Sequence, residues 1–186
     1  MKREISIFAP SEAPLAVTLL LLPDSSMMSL ASTLDPLRAA NRVARRPLFS
    51  WRIVTPDGNP ATLTCGVPVP AEGALRRDLT GDALIVVAGF NQERHVGAEA
   101  LARLRGAARG FRALGGIEAG SWLLARAGLL DGLAATTHWE DLEDLAARFP
   151  EVNVLPDRFV VDGRVFTSGG ASPSFDLMLH LIRSRF

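Results

Sequence analysis

Apolar runs of strand length alternate along this chain with segments of helical period. Leu15 to Leu22 is a continuous apolar run closed by Pro23-Asp24, which predicts a strand buried on both faces. Met27 to Val43 carries helix formers, with Leu30, Leu34 and Leu37 on one face. Phe49 to Thr55 predicts a second strand, ended by Pro56-Asp57-Gly58-Asn59, and Thr62 to Val69 a small hairpin arm. Ala83 to Ala88 is another buried strand, stopping at Gly89, and Ala98 to Ala108 stacks Leu101, Leu104 and Ala108 on one helical face. Phe111 to Ile117 predicts a strand running into a tight turn, with a helix from Ser121 to Leu130 behind it. Thr137 to Phe149 predicts a helix with Thr137 and Glu140 spaced as a capping box, until Pro150 stops it. Asn153 to Leu155, Arg158 to Val161 and Val165 to Ser168 read as short strands, the last two joined at Asp162-Gly163. A final helix takes Ser172 as N-cap and Pro173 at its first position, and buries Phe175, Met178, Leu179 and Ile182.

This alternation predicts an α/β fold, a mostly parallel sheet sandwiched by helices. Residues 1–14 read as a flexible N-terminal lead and 15–186 as one domain. Ligands in such sheets bind beyond the carboxyl ends of the strands. That rule marks the turn after Leu22, the loop after Ala88 and the turn around Glu118. Lys and Arg total 20, matched by 20 Asp and Glu, and no basic run offsets the balance. A grip on phosphates through this domain's own surface is thereby disfavoured. Cys65 is the only cysteine, so an internal disulfide and a multi-cysteine metal site are excluded; it reads as a structural thiol away from the Glu118 turn. His95 and His180 are too scattered for a metal site. Met1 to Pro14 has no apolar signal core, and the longest apolar run is far short of a membrane span, so the expected compartment is the cytoplasm.

The informative turn is Leu114-Gly115-Gly116-Ile117-Glu118-Ala119-Gly120-Ser121. Gly-x-X-x-Gly between a strand and a helix is the pattern of a nucleophile elbow, in which flanking glycines permit a tight turn and the central side chain is lifted into a pocket. In an acyl-transfer enzyme X is Ser or Cys. Here it is Glu118, a poor nucleophile for that chemistry but a fixed negative charge. The plainer reading is helix capping, since a carboxylate near a helix N-terminus gains about 0.3–1 kcal/mol with no function at all. Capping does not need glycines on both sides.

Gly116-Ile117-Glu118-Ala119-Gly120, Leu124-Ala125-Arg126-Ala127-Gly128-Leu129-Leu130-Asp131-Gly132 and Ala135-Thr136-Thr137-His138-Trp139-Glu140 resemble the ThiJ/PfpI superfamily. Pro36-Leu37-Arg38-Ala39-Ala40-Asn41, Phe149-Pro150-Glu151-Val152-Asn153-Val154, Asp157-Arg158-Phe159-Val160 and the ending from Ser168-Gly169-Gly170 to Asp176-Leu177-Met178-Leu179 narrow the likeness. They are similar to the N-terminal domain of GlxA-type AraC-family regulators, over roughly residues 15 to 183. The resemblance implies a flavodoxin-like, glutamine amidotransferase-type three-layer fold. Enzymes of the superfamily carry Cys at the position of Glu118, and many carry an acidic residue in the first strand-to-helix turn, where this chain has Ser29. With both positions altered, the resemblance implies a binding domain without catalysis or cofactor. It further implies a homodimer, and a C-terminal helix-turn-helix domain through which alone the protein meets DNA.

Regulators with an acidic elbow resemble those responding to carnitine, glycine betaine or arginine. The expected ligand is therefore a cationic or zwitterionic amine, either a quaternary ammonium compound or a basic amino acid. A buried carboxylate is costly unless paired, and aromatic faces add about 0.5–2 kcal/mol each for a bound cation. The chain has no tyrosine, so aromatic partners must be Trp or Phe. The candidate ligand residues are Glu118, Trp122, His138, Trp139, Phe90, Asn91, Ser29 and Ala119, and the backbone N–H groups of Ala119 and Gly89 are candidate donors to an anionic end. Each has a bland counterpart: Trp122 and Trp139 as core packing, His138 as a satisfied core histidine, Glu140 as the capping partner of Thr137. Two other classes stay open, a divergent hydratase or lyase using Glu118 and His138, and a scaffold that binds no ligand.

Overall fold

The computed structural model describes residues 6–186. The chain runs β1 (Leu15–Leu21), α1 (Met27–Ala44), β2 (Phe49–Val54), β3 (Ala61–Thr62), β4 (Pro68–Val69) and β5 (Gly81–Ala88). It continues through α2 (Gln92–His95), α3 (Ala98–Ala107), β6 (Phe111–Glu118), α4 (Gly120–Arg126) and β7 (Ala134–Ala135). It closes with α5 (Leu142–Arg148), β8 (Asn153–Val154), β9 (Phe159–Asp162), β10 (Val165–Ser168) and α6 (Ala171–Arg185). The main sheet has the order β2-β1-β5-β6-β10-β9 and is parallel except for β9. The chain leaves β1 toward β2 on one side and later builds β5 and β6 on the other. The crevice beyond the carboxyl ends of β1 and β5 is thus the switch point where open α/β sheets bind ligands.

The continuous apolar runs follow from burial on two faces. Leu15, Val17, Leu19 and Leu21 join Ile85 and Val87 in one core, closed by Leu30 and Leu37 of α1 and by Leu177, Met178 and Leu181 of α6. Leu20, Leu22, Leu84 and Val86 enter the opposite core with Leu101 and Leu104 of α3 and Leu123 and Leu124 of α4. Truncating one such leucine to alanine costs about 2–5 kcal/mol. No described helix is long and apolar enough to cross a membrane.

Five expectations change. The helix after the elbow ends at Arg126, not Leu130, because Gly128 takes a left-handed φ of 66° and the amides of Gly128 and Leu129 fold back onto the carbonyls of Ala125 and Leu124. The capping box does not form: Trp139–Asp141 make a 3-10 turn, α5 starts at Leu142, and the Thr137 hydroxyl donates to the Glu118 carbonyl at 3.1 Å. The β9–β10 turn sits at Gly163-Arg164, with Asp162 paired to Val165. Helix α6 begins before Ser172 and turns Leu177, Met178 and Leu181 inward, leaving Phe175 and Leu179 each 45% exposed. Finally, part of the expected flexible lead, around Ile7 and Phe8, packs onto the domain. Ile7 is buried, Phe8 meets Phe166 edge-on at 5.5 Å, and the Arg185 guanidinium donates to the carbonyls of Ile7 and Ala13 at 3.1 and 2.8 Å. The first five residues of that lead lie outside the described residues.

Candidate functional site

Three strand ends meet at the crevice, and each brings a non-glycine residue in left-handed backbone: Asp24 after β1 (φ 60°), Asn91 after β5 (φ 64°) and Glu118 at the end of β6 (φ 52°). Such backbone costs of order 1–3 kcal/mol and persists only where its surroundings enforce it. At the elbow the enforcement is visible. A Cβ on Gly120 would lie 2.1 Å from the Val86 carbonyl oxygen, and one on Gly116 would lie 2.9 Å from the Ser121 nitrogen. The Ala119 N–H donates to the Ala88 carbonyl at 3.1 Å, and the buried Ser121 hydroxyl donates to the Thr136 carbonyl at 2.7 Å. The first turn is fastened in the same manner. A Cβ on Gly89 would lie 2.3 Å from the Asp24 carbonyl oxygen, and the Ser25 hydroxyl lies 2.8 Å from the Leu22 carbonyl and 3.0 Å from that of Val87. The β3–β4 arm docks there through the Asp24 N–H to Thr62 and the Thr64 N–H to Ser25, at 2.9 and 3.1 Å.

Between these turns lies a cavity of about 240 Å³. It falls just under the range for drug-sized ligands and suits a small metabolite. Glu118, Ala119, Phe90 and His138, all expected from the sequence, line it. Asp24, Ser26, Thr64 and Asp141 line it as well and were not expected. Three carboxylates therefore face the cavity, and its lining holds no lysine or arginine. The Asp24 carboxylate is paired with His95 Nε2 at 2.9 Å. Burial holds the Asp141 carboxyl above the usual aspartate range; His138 pulls it down, while Asp144 and Glu140 push it further up. His138 lies between Phe90, edge-on at 5.6 Å, and Trp139, tilted at 5.8 Å, with Nδ1 3.6 Å from Glu140.

The remaining candidates sit elsewhere. Trp122 is 8% exposed and packs edge-on against Phe149 at 5.8 Å; with Asn91 it walls a neighbouring hollow instead. Trp139 is 71% exposed and stands outside the lining, because the 3-10 turn points it to solvent. Ser29 lies within α1, fully buried, its hydroxyl without a partner among the described residues. The residues by which the first turn reaches the cavity are Asp24 and Ser26, the latter also the N-cap of α1. Ala119 touches the cavity, but its N–H is taken by Ala88, which removes one of the two expected backbone donors to an anion; Gly89, the other, lines the cavity. Cys65 is exposed beside Thr64, contrary to a structural thiol. Among the described residues, no group of three His, Cys, Asp or Glu could hold a metal ion.

The family model for DJ-1/PfpI matches residues 17–184. The HTH-type transcriptional regulator CdhR of Pseudomonas aeruginosa is 43% identical over 163 residues, covering 88% of this chain and 48% of CdhR. GbdR, an HTH-type transcriptional regulator of the same species, is 37% identical over 169 residues, 91% of this chain and 46% of GbdR. A shorter match, 45% identical over 64 residues and a third of this chain, is to an isonitrile hydratase of Pseudomonas putida. Among solved structures, an AraC family transcriptional regulator from Pseudomonas putida superposes with a TM-score of 0.80 at 30% identity, covering 93% of both chains. The chain spans about half the length of the curated regulators it matches.

Proposed function

The chain belongs to the DJ-1/PfpI family, and we propose that it is the ligand-sensing, non-catalytic domain of a cytoplasmic transcriptional regulator. The observation that carries this reading is Glu118, a carboxylate at the elbow position where the chemistry of acyl transfer needs a nucleophile, facing a cavity with two more carboxylates and no lysine or arginine. The ligand in this reading is a cationic or zwitterionic amine, with quaternary ammonium compounds and basic amino acids as the two candidate classes. The regulators among its relatives support the regulatory role. In this reading the protein is a homodimer, and DNA is met by a helix-turn-helix domain outside residues 1–186. Ligand draws together the elbow, the first turn and the loop after β5, and it shifts the dimer's equilibrium only by its differential affinity for two states.

A thermal-shift screen with carnitine, glycine betaine, dimethylglycine, choline and arginine tests this. A ligand at about 100 times its dissociation constant stabilises by about 2.7 kcal/mol, a rise of roughly 5–10 °C for a domain of this size. Glu118→Gln is expected to abolish the rise. A flat screen in both proteins would leave a scaffold. The second reading, a hydratase or lyase, is favoured by one observation: Glu118 and His138 line the same cavity. It requires turnover of a bound metabolite that disappears in Glu118→Gln, and binding without turnover eliminates it.

A further inference from the structure

Resting on that reading of the cavity as a cation site, we infer that the ligand group seated at Glu118 bears N–H donors, as a protonated amine or a guanidinium does, and is not a quaternary ammonium. The argument is a balance of donors and acceptors. Glu118 and Asp141 line the cavity, and among the described residues no side chain or backbone amide donates a hydrogen bond to either carboxylate. Asp24 has one partner, His95. An ionised carboxylate offers about four lone-pair positions, so the lining presents many more acceptors than donors. At the elbow, the Ala119 N–H is held by the Ala88 carbonyl.

A quaternary ammonium answers the charge of these groups but supplies no donor. Closing it into the cavity would strip water from the carboxylates and leave their lone pairs unmet, the costly state for a buried acceptor. A primary ammonium supplies three donors and a guanidinium five. Quaternary ammonium sites rely instead on several aromatic faces, and this lining has only Phe90, itself 57% exposed, and the edge-contacting His138. Trp122 is turned into the core and Trp139 outward.

The test is calorimetric titration of the whole chain, at neutral pH, with n-butylamine, N,N-dimethylbutylamine and butyltrimethylammonium. These share one tail and one charge and carry three, one and no donors. Affinity is expected to fall at each step, by at least about tenfold across the series, as loss of a hydrogen bond to a charged group would give. Asp141→Asn is expected to shrink that ratio. If butyltrimethylammonium binds as tightly as butylamine while Glu118→Gln abolishes both, this inference falls and the cation site stands. If no member binds up to its solubility limit, or Glu118→Gln binds all three unchanged, the cation site falls and this inference with it.

Discussion

Asp24 closes β1 and Glu118 closes β6, and the two residues are built alike. Each is a carboxylate in left-handed backbone, at φ 60° and 52°. Each is locked by a glycine pressed against a carbonyl, Gly89 against that of Asp24 and Gly120 against that of Val86. They differ in the fate of the charge. Asp24 is paired with His95 at 2.9 Å, whereas the elbow fastens only the backbone of Glu118, through the Thr137 hydroxyl at 3.1 Å. One turn answers its charge internally. The other keeps the strain and leaves the carboxylate without a partner among the described residues, the kind of outlier from which a functional position is proposed.

The comparison breaks most sharply at the glycines. Gly120→Ala forces a methyl group to 2.1 Å from a backbone oxygen and Gly89→Ala to 2.3 Å, and neither backbone can yield cheaply. Each is expected to lose about 3 kcal/mol, a drop in Tm of roughly 6–12 °C followed by circular dichroism. Losses much smaller than that in either would mean that the turn is not held by the contact seen. A milder pair separates the two charges. Glu118→Gly relieves left-handed strain and removes no internal hydrogen bond of the side chain, so it is expected to gain about 1 kcal/mol, roughly 2–4 °C, while losing the ligand-induced shift. Asp24→Gly relieves the same strain but gives up the His95 pair, about 0–1 kcal/mol for a partly exposed contact, and its Tm should stay closer to that of the parent. Equal gains would show that His95 does nothing for Asp24.

What could be read from the sequence was local, and what could not was long-range. The strands Leu15–Leu21 and Gly81–Ala88 were legible because apolar continuity is itself the signature of burial on two faces. The elbow was legible because its two glycines lie two residues either side of Glu118. Asp141 was hidden by a local pattern that misled: Thr137 and Glu140 have capping-box spacing, but Thr137 is bound across the fold to Glu118. Trp122 is close to Glu118 along the chain, yet the turn of α4 rotates it to Phe149. The first turn reaches the cavity through Asp24 rather than the expected Ser29. Helix α1 carries Ser29 into the core, whereas the left-handed Asp24 faces the cavity. Thr64 reaches the site only through the docking of the β3–β4 arm on Ser25, which no spacing within the arm encodes.

The smallest expected effect concerns Asp141, whose carboxyl is raised above the usual aspartate range, chiefly by burial. For an acid raised in the folded state, the ionised form is the disfavoured one. Its contribution to stability is therefore full below the unfolded aspartate pKa and is lost as pH climbs through the higher folded value. Asp141→Asn removes that dependence. The variant should melt at a higher temperature than the parent at neutral pH, by less than Glu118→Gly does, and the difference should vanish in acid. A cationic ligand reverses the balance, because it favours ionised Asp141. Binding should then release a proton within that acid window, so affinity in the parent should rise with pH across it, while Asp141→Asn shows a flatter rise. Melting curves and titrations of both proteins across the window decide the matter. If Asp141→Asn gains nothing at neutral pH and its affinity keeps the full pH slope, the Asp141 carboxylate is an idle neighbour, and the contrast between a charge answered inside the protein and one left for a ligand belongs to Asp24 and Glu118 alone.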